Sequence, residues 1–142
     1  MDTSEPTPRE LEALKVLWSK DGGATVREVC DAISAAVGEK LAYTTVLSLL
    51  QVMEQKGLVD HARQGRAYVY RPLVERRKTL GQIAGGFLES VFDGALSEYV
   101  AHAIDKRGVS KGELDELEAM IADARKRQQT PKNPRPRKKG EK

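Results

Sequence analysis

The chain holds a single cysteine, Cys30, among its 142 residues. A lone thiol closes no internal disulfide and supplies no thiolate set for zinc or an iron–sulfur cluster. The two histidines, His61 and His102, have no second His or Cys at ligand spacing, so no metal site and no cofactor is expected. No run approaches the roughly 18 apolar residues that a membrane span requires. The start of the chain, Met1 to Pro8, is acidic and polar, unlike the basic and then apolar opening of a signal peptide. These absences point to the reducing cytoplasm with no membrane insertion. Also lacking are a Gly-rich phosphate loop, a nucleophile–base arrangement and paired carboxylates in an apolar setting. No catalytic residue is therefore nominated, and Glu113, Asp115, Glu116 and Glu118 read as a solvated helix face. Aromatic residues make up only 5% of the chain and charged residues 32%, a balance that suits a helix-rich protein with a modest core.

The charge is unevenly placed. Residues 1–39 hold four Lys or Arg against eight Asp or Glu, whereas residues 40–78 hold eight against three. Residues 79–124 return to three against nine, and residues 125–142 hold nine against one. A basic block set inside an acidic body suggests a surface that faces a polyanion.

Helix starts are clearly marked. Thr7-Pro8-Arg9-Glu10 has a capping Thr, a Pro at the first helical position and a Glu placed to bond back to the cap. Leu11, Leu14, Leu17 and Trp18 follow at helical spacing, and Asp21-Gly22-Gly23 interrupts them. Thr25-Val26-Arg27-Glu28 repeats the box ahead of a stripe of Val26, Val29, Cys30, Ile33 and Val37, so Cys30 reads as a core thiol. A third helix is expected from about Ala42 to Lys56, closed by Gly57. Leu58 to Gln64 and Arg66 to Arg71 then read as a β-hairpin turning at Gln64-Gly65. From Val74 the helical period returns in three stripes. The first holds Leu80, Ile83, Phe87 and Val91, and the second Leu96, Tyr99, Val100 and Ile104. The third, behind the box Ser110-Lys111-Gly112-Glu113, holds Leu114, Leu117, Met120 and Ile121. Thr130 to Lys139 is Pro-rich and basic, and disorder is expected there.

Three helices closed by a two-stranded ribbon form the winged helix arrangement. The fold class is therefore mainly α with a small β-hairpin: an N-terminal winged helix-turn-helix over residues 1–73, a helical arm over 74–129 and a basic tail over 130–142. On the third helix, Val46, Leu49, Leu50 and Met53 share one side at about 100° per residue. The opposite side carries Thr44, Ser48, Gln51 and Gln55 and no charge. Short hydroxyls and glutamines can reach base edges and phosphates in a major groove. Leu47, Ala42 and Tyr43 are placed to touch thymine methyls. Lys40 and Lys56 bracket this helix and Arg63 and Arg66 straddle the hairpin tip, where cations could position phosphates. The same face could also be a solvated helix surface. A non-specific chromatin-type binder and a protein-docking module stay open beside a sequence-reading DNA binder; an enzyme has least support.

The run Leu41-Ala42-Tyr43-Thr44-Thr45-Val46-Leu47-Ser48-Leu49-Leu50, with Glu54-Gln55-Lys56-Gly57-Leu58-Val59 and Gly65-Arg66-Ala67-Tyr68-Val69-Tyr70-Arg71-Pro72-Leu73, resembles the penicillinase-repressor (BlaI/MecI/CopY-like) family. Glu12 to Trp18 and Phe92 to Leu96 extend the likeness over roughly residues 7–125. The resemblance implies a homodimeric repressor on a palindromic, inverted-repeat operator in double-stranded DNA, serving a β-lactam or cell-envelope stress response. It implies DNA contact by Thr44, Thr45 and Ser48 on the third helix and by Arg63 and Arg66 on the wing. It also implies dimerisation through Phe87, Val91, Leu96, Val100, Leu117 and Met120. Copper-responsive members carry a C-terminal cysteine cluster that this chain lacks. The β-lactam-responsive members have a membrane sensor-protease as partner. The matching position here, around His102-Ala103, does not reproduce their Asn-Phe pair.

Overall fold

The computed structural model describes residues 5–129, so the expectation of a disordered tail over 130–142 lies outside the described residues. The element order is α1 (Pro8–Trp18), β1 (Ala24–Thr25), α2 (Val26–Val37), α3 (Tyr43–Gln55), β2 (Val59–Gln64), β3 (Ala67–Pro72), α4 (Arg76–Phe92), α5 (Leu96–Arg107) and α6 (Lys111–Gln129). The chain divides into two compact units, Met1–Asp93 and Gly94–Lys142. At the division Asp93 and Gly94 both take left-handed backbone, with φ of 54° and 82°, which ends α4.

All three expected capping boxes form. The Thr7 and Thr25 hydroxyls accept the amide N–H of Glu10 and Glu28, and each glutamate accepts the amide of its cap residue in return. Ser110 and Glu113 do the same at the start of α6. Each box satisfies amide donors that a helix start otherwise leaves open, worth about 1 kcal/mol per cap.

The core of the first unit is built where α1, α2 and α3 meet the sheet. Leu14, Leu17, Ile33, Val46, Leu50, Met53, Leu58 and Val59 are fully buried there, each contributing roughly 1.5–3 kcal/mol of apolar burial. The turn between α2 and α3 is held by side chains. The amide of Leu41 donates to Ser34 Oγ at 2.9 Å, and the Cys30 thiol donates to the Leu41 carbonyl at 3.3 Å. Cys30 is a buried core thiol with a structural hydrogen bond.

Glu10 is buried as well, and its two carboxylate oxygens receive Lys56 Nζ at 2.7 and 3.0 Å. One carboxylate thus joins the cap of α1 to the C-terminal cap of α3, where a cation also suits the helix dipole. The Glu10 side chain is 4% exposed and that of Lys56 26%. Removing the ammonium would strand a buried charge, a loss of about 3 kcal/mol or more in buried pairs.

The sheet has three strands rather than the two expected, in the order β1-β3-β2 and antiparallel throughout. The added strand is two residues long, and its Thr25 is also the cap of α2. Ala24 pairs with Tyr70 and Thr25 with Val69 on one edge of β3, while His61 pairs with Tyr70 on the other. Gly23 leads into β1 with φ of 95°, and a Cβ there would meet the Tyr70 carbonyl oxygen at 2.5 Å. Glycine is required by both conformation and space. The Trp18 indole N–H donates to the Val74 carbonyl at 2.9 Å, tying the exit from the sheet to α1.

In the second unit, α5 and α6 bury no residue, and Arg107 pairs with Glu113 beside the cap of α6. Among the described residues no helix is long and apolar enough to cross a membrane, and no group of three or more His, Cys, Asp or Glu could hold a metal.

Gly22 and Gly23 separate strain from collision, since both have positive φ but only Gly23 touches β3. Gly22→Ala is expected to lower stability by about 1 kcal/mol and Gly23→Ala by clearly more, about 3 kcal/mol or above. Urea denaturation of the two variants checks this; equal losses would show that the close approach to β3 does not matter.

Candidate nucleic-acid interface

Helix α3 has two faces because its inner stripe is clamped. Val46, Leu50 and Met53 are fully buried and Leu49 is half-buried against the core. This rotation leaves Thr44, Thr45, Ser48, Gln51 and Gln55 exposed, together with Ala42 and Tyr43 at the helix start and Lys40 before it.

Beside this face lies a groove of about 1030 Å³ between the start of α2, α3 and the hairpin. Its lining brings together Tyr43, Gln51 and Arg66 of the expected site, with Leu47, Gln55 and Tyr68. Lys40, Ala42, Thr44, Thr45 and Ser48 are exposed on the same helix or its approach but do not line the groove. Arg63 also stands outside the lining. Its guanidinium carbon lies 5.6 Å from the Tyr68 ring centroid, and its Nε–H donates to the Gly65 carbonyl at the hairpin tip at 3.2 Å.

Leu47, expected to flank the DNA-facing side, is half-buried and packs on the core while also lining the groove. The expectation for Lys56 is corrected outright. It ends the helix as a cation suited to positioning phosphate, but its ammonium is held by buried Glu10 in a structural ion pair. Its partner is 46 residues away in sequence, a distance no helical wheel can register.

Three participants were not legible as site residues. Arg27, at the start of α2, lines the groove with its guanidinium carbon 5.1 Å from the Tyr43 ring centroid. A cation in the first turn of a helix opposes the helix dipole, and that misplacement was the available signal. Glu54 and His61 join α3 to the wing through a 2.7 Å contact between Glu54 Oε1 and His61 Nδ1. The His61 ring meets Tyr68 edge-on at 5.0 Å and Tyr70 at 5.1 Å. Glu54 therefore carries a carboxylate into a groove whose neighbouring helix face is uncharged.

Tyr70 lies at the floor of this cluster, 2% exposed. Burial raises its phenol above the ordinary value of 10.0, and the Glu54 carboxylate and the Tyr43 and Tyr68 phenols push the same way.

The arrangement pairs an uncharged hydrogen-bonding helix face with guanidinium groups on both sides of a groove. Neutral polar groups can exchange water for base edges at small desolvation cost, while exposed guanidinium groups suit phosphate.

The family model described as penicillinase repressor matches residues 6–123. The transcriptional regulator BlaI of Mycobacterium tuberculosis is 33% identical over 115 residues, covering 80% of each chain. The penicillinase repressor of Bacillus licheniformis is 25% identical over 118 residues, covering 83% of this chain and 90% of its own. Among solved structures, the solution structure of monomeric Bacillus licheniformis BlaI in complex with the blaP half-operator matches with a TM-score of 0.44 and 25% identity. It covers 53% of this chain and 88% of that one.

The raised Tyr70 value carries a sign for stability. The unfolded chain releases this proton at lower pH than the folded chain, so the contribution is whole below pH 10.0 and is lost as pH rises through the folded-state value. Tyr70→Phe is therefore expected to flatten the alkaline fall in stability, read as urea midpoints at neutral pH and at about pH 11. A fall as steep as in the parent chain would contradict the assignment.

Proposed function

The chain belongs to the penicillinase-repressor family, and from that premise we propose that it is a sequence-specific DNA-binding transcriptional repressor, acting in the cytoplasm as a homodimer on an inverted-repeat operator. The observation that carries the reading is the two-faced α3. Its core stripe fixes which side faces inward, and its uncharged outer face stands beside a groove flanked by Arg27 and Arg66. Thr44, Thr45, Ser48 and Gln51 would meet base edges and nearby phosphates, with Ala42 and Tyr43 at the entry and Lys40 on the backbone. Arg63 and Arg66 would place the wing on the backbone or in the adjacent minor groove. A purely electrostatic binder gains more from Lys and Arg on that helix face than from Ser and Gln, which disfavours a chromatin-type role.

Residues 1–73 would form the reading head, and residues 74–129 the dimerisation region. Support comes from apolar side chains left open to solvent: Phe87 at 47% exposure, Val91 at 55%, Leu96 at 59%, Val100 at 37%, Leu117 at 36% and Met120 at 60%. A second copy is the partner that matches such stripes, because a two-fold interface buries the same patch twice. The operator would serve a β-lactam or cell-envelope stress response, with a membrane sensor-protease as the releasing partner. His102-Ala103 lies within α5, so cleavage there would first require that helix to open. Antibiotic-exposed cells are then expected to contain cut chain once the target genes are on; chain that stays intact would remove the protease from this reading.

Base readout has a direct test. Gln51→Ala or Ser48→Ala should weaken binding to the preferred duplex by about 1–3 kcal/mol and leave random-sequence binding nearly unchanged. Arg66→Ala should weaken both and reduce the slope of log affinity against log salt by about one per protomer. Equal losses of Gln51→Ala and Ser48→Ala on both duplexes would contradict base readout by α3.

A further inference from the structure

The arginine at the start of α2 is not explained by the fold. Arg27 is exposed, and among the described residues no carboxylate forms an ion pair with it. It occupies the first turn of a helix whose cap is already complete through Thr25 and Glu28, and a positive charge there opposes the helix dipole. Its one described contact is the Tyr43 ring, 5.1 Å from the guanidinium carbon. Tyr43 is the first residue of α3 and is itself 41% exposed. This cation–π contact thus spans the two helices of the helix-turn-helix at the rim of the groove.

We propose that Arg27 is a phosphate-binding residue of the operator interface and that Tyr43 is its positioning residue, holding the guanidinium face so that its N–H edges point outward. The inference rests on the DNA-binding reading given above and adds a residue pair to it. Stacking on an aromatic ring uses the face of a guanidinium and leaves its in-plane donors free. A guanidinium so restrained loses less side-chain freedom when it meets an anion. The anion that fits is a phosphodiester of the DNA backbone. The groove on which Arg27 borders also carries Gln51 and Arg66, so a duplex read by α3 would bring its backbone past the start of α2. Among the described lining residues Glu54 is the one carboxylate, and His61 already occupies it. The stack accounts for a ring at position 43 as well, where a residue needed only to touch a thymine methyl could be aliphatic.

The test uses the full-length chain, a duplex carrying its selected site and a random-sequence duplex of equal length, with affinities measured over a range of salt. Arg27→Ala should weaken binding to both duplexes by a similar factor, about 5- to 10-fold, and lower the salt slope by about one per bound protomer. Tyr43→Phe keeps the ring and should keep the salt slope of the parent chain, whatever the loss of the hydroxyl does to affinity. Tyr43→Leu should lose about 3-fold in the parent background, yet little when Arg27 is already alanine, because the ring acts through the guanidinium. Thermal unfolding of each variant within a degree or two of the parent would exclude a folding defect as the cause. An unchanged slope for Arg27→Ala, a loss confined to the selected duplex, or additive losses in the double variant would overturn the proposal while leaving the DNA-binding reading in place. A parent chain that binds neither duplex would remove that reading, and this inference with it.

Discussion

The rotation of one helix about its axis governs what this protein can present. Val46, Leu50 and Met53 have no exposed surface, and burying three such side chains stabilises the fold by roughly 1.5–3 kcal/mol each. Turning α3 to hide its polar face would sacrifice most of that. The helix is pinned at both ends as well. At its start the Leu41 backbone is held by Ser34 and Cys30, and at its end Lys56 is bound to buried Glu10. A helix fixed in rotation and at both termini offers a rigid row of side chains, which discrimination between sequences requires. The wing depends on the same frame, since β3 lies between β1 and β2 and Gly23 allows β1 to approach it.

Much of this was readable from local pattern. The stripes of α1, α2 and α3 follow the 3.6-residue period, and the three capping boxes state where helices begin, because both signals depend on neighbours a few residues apart. The hairpin was readable from the alternation around Tyr68 and Tyr70. What escaped depends on partners distant in sequence. Strand β1 is only Ala24 and Thr25, too short for any period, and is a strand solely because β3 lies beside it. Lys56 looked like a surface cation until Glu10 was brought to it. Arg27 was visible in the second capping box, but its relation to Tyr43 exists only once α2 and α3 cross. Leu47 and Leu49, both half-buried, sit at the boundary between faces where a wheel separates residues poorly.

The two compact units contrast in how they satisfy their apolar residues. The first encloses a core of its own. In the second, α5 and α6 leave Leu96, Tyr99, Val100, Ile104, Leu114, Leu117, Met120 and Ile121 between 36% and 60% exposed. Most helical stability in proteins comes from packing an amphipathic face, and open apolar stripes of this extent normally mark an interaction surface. The dimer proposed above would need a joining element, and these stripes are the part of the chain suited to that task. The charge pattern agrees: the basic block of residues 40–78 coincides with α3 and the wing, and the acidic block of 79–124 with the helices that follow.

The proposed homodimer would set two reading heads in a two-fold arrangement. The most direct measurement is recovery of bound duplexes from a random-sequence pool by the full-length protein at near-physiological salt. The account predicts enrichment of an inverted repeat whose half-site centres are separated by about one helical turn, roughly 10 base pairs, or a multiple of it. Bound DNA with no enriched sequence, or a single half-site with no symmetric mate, would contradict it.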